Sequence, residues 1–172
     1  MPLVKNGARA EDAYALVADD APLPEGPALI SAARFLSEAG TLSGRNAPLG
    51  VLWPNDRDVA ELKPHLSKLA LIALMLPKFR DGRAYSQARL LRERFGFTGE
   101  LRATGNVLLD QFLMLARAGF DAFDVHKEAD VPAFAKELSS YSIFYQPTGD
   151  GRRTAAEARQ EEEGAPLKAR NG

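Results

Sequence analysis

The sequence predicts an α/β fold built on a mostly parallel sheet of about four strands, and three observations predict it. From residue 49 to residue 146 strand-like and helix-like stretches alternate with short loops, the pattern of right-handed crossovers. The run LALIALML (69–76) shows no period-two alternation, as expected of a central strand buried on both faces. The first 48 residues break this pattern and read as a small attached N-terminal layer.

In that layer DAYALV (12–17) reads as a short edge strand and PLPEGP (22–27) as a rigid connector. ISAARFLSEAG (30–40) reads as a helix stopped by a left-handed cap at Gly40. The repeated core follows. LGVLW (49–53) is a strand, DVAELKPHL (58–66) a short helix and LALIALML a strand; AYSQARLLRERFG (84–96) is a helix and ELRAT (100–104) a strand. VLLDQFLMLARAG (107–119) is a helix, DAFDV (121–125) a strand and VPAFAKELSSY (131–141) a helix. A half-barrel and a flavodoxin-like open sheet both fit this order, with residues 1–147 as one domain. From Thr148 to Gly172 large apolar residues almost vanish, which predicts a disordered charged tail with a transient helix over AAEARQEEE (155–163).

Composition narrows the function. The 172 residues are 45% hydrophobic and 26% charged, with a formal net charge of −1. No global bias therefore draws the chain to nucleic acid or an acidic membrane. With no cysteine, disulfides, thiolate redox centres and cysteine-held clusters are excluded. The start lacks a signal-peptide core and the longest apolar run is far below the roughly 20 residues of a membrane span, so a cytoplasmic location is expected. Neither G-x-G-x-x-G after a strand nor G-x-x-x-x-G-K-[ST] occurs, so no cofactor is expected. His65 and His126 have no carboxylates at ligand spacing, which speaks against a metal site.

In an open parallel sheet, ligands bind beyond the strands' carboxyl ends. That rim should carry Trp53, Asn55 and Asp56; Lys78, Arg80, Asp81, Gly82 and Arg83; Thr104, Gly105 and Asn106; and His126 and Lys127. Cations outnumber acids there. In FRDGR (79–83) Asp81 can cap the next helix or accept a proton, and Gly82 can take a backbone conformation closed to other residues. Arg83 can bind an anion or stay solvated, while Ser86 falls in the first helical turn. Arg102 lies on the strand face opposite Leu101 and Ala103, so it needs an ion-pair partner, Asp110 or Glu100, or a place at the rim. The helix over 107–118 is apolar around most of its circumference, which predicts burial under Ile30, Phe35 and Leu36 or a homodimer interface.

The stretch LPKFRDGRAYSQARLLRERFGFTGELRATGNVLLDQFLMLARAGFDAF, with PLGVLWPND before it and SIFYQP after it, resembles the bacterial domain-of-unknown-function family 934 over about residues 20–147. Its pattern includes Asp81, Gly82, Arg83, Ser86, Arg92, Gly99, Glu100, Arg102, Gly105, Asp110, Gly119 and Asp121. This chain has Ala84 where the pattern leads one to expect glycine and Asn106 where it leads one to expect aspartate. Members are labelled oxidoreductases of sulfite reduction, after the genes that neighbour theirs. The resemblance implies an accessory role in assimilatory sulfate and sulfite reduction, with sulfite reductase or its electron donor as partner. An enzyme holding a sulfate-like or phosphate-like anion at the rim, and a structural homodimer, are the alternative expectations.

Overall fold

The computed structural model describes residues 1–139, 142–148 and 152–164. Eight strands form one sheet: β1 (Leu3–Lys5), β2 (Ala8–Ala10), β3 (Ala15–Leu16), β4 (Ala28–Ser31), β5 (Leu49–Trp53), β6 (Leu71–Leu76), β7 (Glu100–Gly105) and β8 (Ala122–Asp124). Their order across the sheet is β2-β1-β8-β7-β6-β5-β4-β3. Strands β3 to β8 run parallel in chain order, whereas β1 pairs antiparallel with both β8 and β2. The sheet thus has twice the expected strands. Strand β4 escaped notice because ALIS runs straight into a helix and shares its apolar character. The β1–β2 hairpin is short, yet its turn was written in Asn6-Gly7, whose φ angles of 51° and 75° are those of a two-residue turn.

Each parallel strand lies beside its sequence neighbour, so every right-handed crossover returns on the same side. A flavodoxin-like sheet needs a reversal of strand order, and this sheet has none; it is a curled half-barrel. The helices α1 (Ala32–Glu38), α2 (Arg83–Arg89), α3 (Phe112–Ala118) and α4 (Val131–Ser139) pack on one face only. Alternation along each strand then separates two cores. Ile30, Val51, Ile72, Leu74, Leu101 and Phe123 join the helix residues in the main core, whereas Leu29, Leu71 and Ala73 form a small cluster on the concave face with Tyr14 and Leu52. The central strand is buried on both faces, as expected, but among the described residues helices cover only one of them.

Strands β2 and β3 lie at opposite edges of the sheet, yet only residues 11–14 join them. Eight strands laid flat at about 4.8 Å spacing would put the edges roughly 34 Å apart, whereas so short a link spans at most about 18 Å. The sheet must curl until its edges nearly meet. Residues 11–14 then form a strap across the seam.

The expected helix over 84–96 is α2 followed by a π turn (Leu90–Arg94), which turns Arg92 inward. Its Nε donates to Gly119 O at 2.9 Å, Nη1 to Phe97 O at 2.6 Å and Gly99 O at 2.8 Å, and Nη2 to Asp121 Oδ2 at 2.8 Å. Asp121 Oδ1 accepts from the Leu101 amide at 2.9 Å. One arginine thereby fastens α2, the α3–β8 turn and the start of β7. Gly119 has φ +111°, and a Cβ there would stand 2.6 Å from Arg92 Cγ.

Two expectations are corrected. Gly40 is right-handed, with φ −68°, so it is no left-handed cap. The apolar helix is α3 alone, buried through Phe112 against Phe123 and Phe134 at ring separations of 4.2 and 4.6 Å; α1 packs instead on β4 and β5. In the charged tail, the helix expected over residues 155–163 is α5, which spans Ala155–Gly164, with the Glu157 carboxylate accepting from the amide and hydroxyl of Thr154 and Phe144 bridged to Thr154. Residues 149–151 and 165–172 of that tail lie outside the described residues.

Two glycines separate strain from open space. Gly119→Ala is expected to cost roughly 2–3 kcal/mol through its left-handed backbone and the Arg92 contact. Gly82→Ala, where φ is −83° and nothing lies within 4 Å of a Cβ, is expected to stay within about 0.5 kcal/mol of wild type. Urea melts of the two variants measure the contrast.

Candidate functional site

In the rim loop after β6 the Arg83 guanidinium is already engaged. Arg83 folds back on Asp81, its Nε 2.9 Å from Oδ1 and its Nη2 2.7 Å from Oδ2, and the Arg83 amide adds a contact of 3.3 Å to Oδ1. These bonds hold the Asp81 carboxyl well below the usual carboxylate range, which favours its ionised form. Gly82 has a φ open to any residue, so its freedom is not required. Lys78, Phe79 and Arg80 project into solvent beside them. Among the described residues no ion pair engages Lys78 or Arg80. Asn106 is half-buried, with its amide donating to Leu76 O at 2.7 Å, and His126 is exposed.

Arg102 lies elsewhere, on the concave face, and is only 1% exposed. Its Nε donates to Glu100 Oε1 at 2.8 Å, while Nη1 and Nη2 meet the two oxygens of Asp12 at 2.7 and 3.0 Å. Asp124 lies 3.9 Å from Nη1, and Lys5 engages Glu100 at 2.6 Å. Burial opposes the charge on Arg102, but Asp12 and Glu100 outweigh it and raise its pKa above the ordinary value. Glu100 was one of the two expected partners; Asp110 is exposed and takes no part. Arg83 and Arg102 therefore serve separate carboxylates and do not converge on one rim anion.

Asp12 and Asp124 were missed. Nothing local marks Asp12, which arrives through the strap. Asp124 could have been found, because it alternates with Phe123 as Arg102 alternates with Ala103. Burial raises the pKa of Asp124 against the pull of Arg102. Burial also works against ionised Asp12, but the Arg102 bonds prevail and lower its pKa.

A broad concavity lies on the helical face. Tyr85, Ser86, Arg89, Leu113, Met114 and Tyr145 line a groove of about 690 Å³ between α2, α3 and residues 142–148. Arg117 helps to hold its wall, with its guanidinium 3.8 Å from the Phe144 ring centre and Nη2 donating to Gln146 O at 2.5 Å. Ser86 thus lines the outer groove rather than the rim. Among the described residues no three histidine or acidic side chains converge as a metal ion requires. No helix among them is long and apolar enough to cross a membrane.

A family model for a bacterial protein of unknown function, DUF934, matches residues 50–156. The chain belongs to the DUF934 family. No curated protein and no solved structure matches it. The matched region holds α2, the Arg92 fastening, Arg102 and most of the groove, whereas the strap and Asp12 precede it.

Asp124 yields a pH prediction. Its folded-state pKa lies above the unfolded value, so the folded protein binds more protons in that window. Stability from this group is present below about pH 4 and is lost as pH rises through the folded pKa. Asp124→Asn should therefore gain on wild type as pH rises from about 4 to 7. Urea unfolding of both proteins across that range reads the difference.

Proposed function

We propose that the protein is an accessory component of assimilatory sulfite reduction, which docks on an acidic surface of sulfite reductase or of its electron-donor system. The observation that carries the docking reading is the Lys78-Phe79-Arg80 tip, where a phenylalanine 54% exposed stands between two cations that no ion pair engages among the described residues. The tip is continuous with a wider apolar strip. Gln111 Nε2 lies 3.5 Å from Phe79 O, and the adjoining turn and α3 expose Leu109 and Met114, the latter at 61%. Aromatic, methionine and arginine side chains are those enriched where partners bind, and the flanking cations favour an acidic partner. The link to sulfite reduction comes from the label its family carries. A rim enzyme draws less support, because Arg83 and Arg102 are both occupied by carboxylates. A homodimer through 107–118 would bring the basic flanks of two copies together.

Binding of the full chain to purified sulfite reductase and to its purified electron-donor protein, by calorimetry at low and moderate salt, tests this reading. Wild type should bind one of the two, more weakly as salt rises. Phe79→Ala and Arg80→Glu should each weaken binding tenfold or more, since a central anchor is worth about 2 kcal/mol, with melting temperatures unchanged. Absence of binding to both proteins, or variants that bind like wild type, would overturn the reading.

A further inference from the structure

The strap holds the concave face through two side chains. Asp12 spans Arg102 with both carboxylate oxygens, and the Tyr14 ring covers the guanidinium at 5.9 Å while packing on Leu29, Leu71 and Ala73. The Arg102 fork, however, is set by the body of the sheet. Its Nε is fixed by Glu100 within the same strand, and Glu100 is itself held by Lys5, so the outward edge of the guanidinium keeps its direction whatever lies against it. The Arg102 side chain is 2% exposed and that of Asp12 38%. The path from solvent to the fork therefore runs through the place that the Asp12 carboxylate fills. The ladders flanking the strap, Ala8–Ala10 and Ala15–Leu16, are short and lie at the exposed sheet edges, so the strap belongs to the part of the fold that opens most easily.

We propose that the Arg102 fork is a binding site for a small-molecule carboxylate, kept occupied by Asp12, with the strap as its lid. A ligand carboxylate that displaces Asp12 takes the same two parallel N–H bonds. It also leaves the charge balance among Arg102, Lys5, Glu100 and Asp124 unchanged. Its carbon chain would meet the apolar floor of Leu29, Leu52, Leu71 and Ala73.

Acetate is the probe, titrated into the full chain against chloride and sulfate at matched ionic strength. Asp12→Ala should melt lower than wild type by about 5 °C or more, and acetate should restore at least half of that loss with saturation. Chloride should not, and sulfate should do less than acetate. Asp12→Asn, which keeps the shape of the strap, carries the same expectation if the alanine variant does not fold. Adding Arg102→Met should abolish the acetate effect. In wild type, acetate should speed hydrogen exchange severalfold at the Ala15 and Val17 amides, which bond Pro27 O and Leu29 O, without changing exchange in β6. Restoration by chloride as effective as by acetate, or an acetate effect that survives loss of Arg102, would overturn the site. Unchanged exchange at Ala15 and Val17 would overturn the lid.

Discussion

Four residues join the two edges of an eight-stranded sheet, and the rest of the architecture answers to that constraint. A flat sheet cannot satisfy it, so the sheet curls; sequential right-handed crossovers then put every sheet-packing helix on the convex side. Among the described residues the concave side receives no helix. It is closed instead by the strap and by what the strap carries inward, Asp12 and Tyr14.

This division gives the two faces opposite chemistries. The convex face buries leucine, isoleucine and phenylalanine under helices, and one contiguous cluster runs from Val4 to Phe134. The concave face places a buried arginine among Asp12, Glu100 and Asp124. A buried pair of this kind adds little net stability over apolar packing, but removing one partner costs several times as much. The network therefore fixes where the strap lies more than it strengthens the sheet. An ion pair that acts in this way is also the place where the fold can be opened by a competing charge.

The residues that carry the family resemblance sort by the same logic. Arg92, Gly99, Gly119 and Asp121 converge on one structural fastening, and Glu100 and Arg102 on the concave network. Asp81 and Arg83 satisfy each other. Apart from these groups, the Lys78-Phe79-Arg80 tip, Leu109 and Met114 are exposed, and Met114 also lines the groove.

The sequence by itself determined the α/β alternation, the central buried strand LALIALML, the DUF934 family and the face on which Arg102 stands. Each of these is carried by local periodicity or by a contiguous run of residues. Only the tertiary structure decided that four parallel strands and the edge strand at DAYALV were part of a curled sheet of eight, because β4 gains its meaning from its neighbours and the hairpin from its pairing with β8. Arg102 and Arg83 could be named from their strands and loops, but not their partners. Asp12 lies ninety positions from Arg102, and no pattern along the chain records a contact made by closing a seam. The Arg83–Asp81 pair is local, yet whether an arginine turns back on its neighbour or out to solvent is set by the space around the loop, which exists only once the strands have been placed.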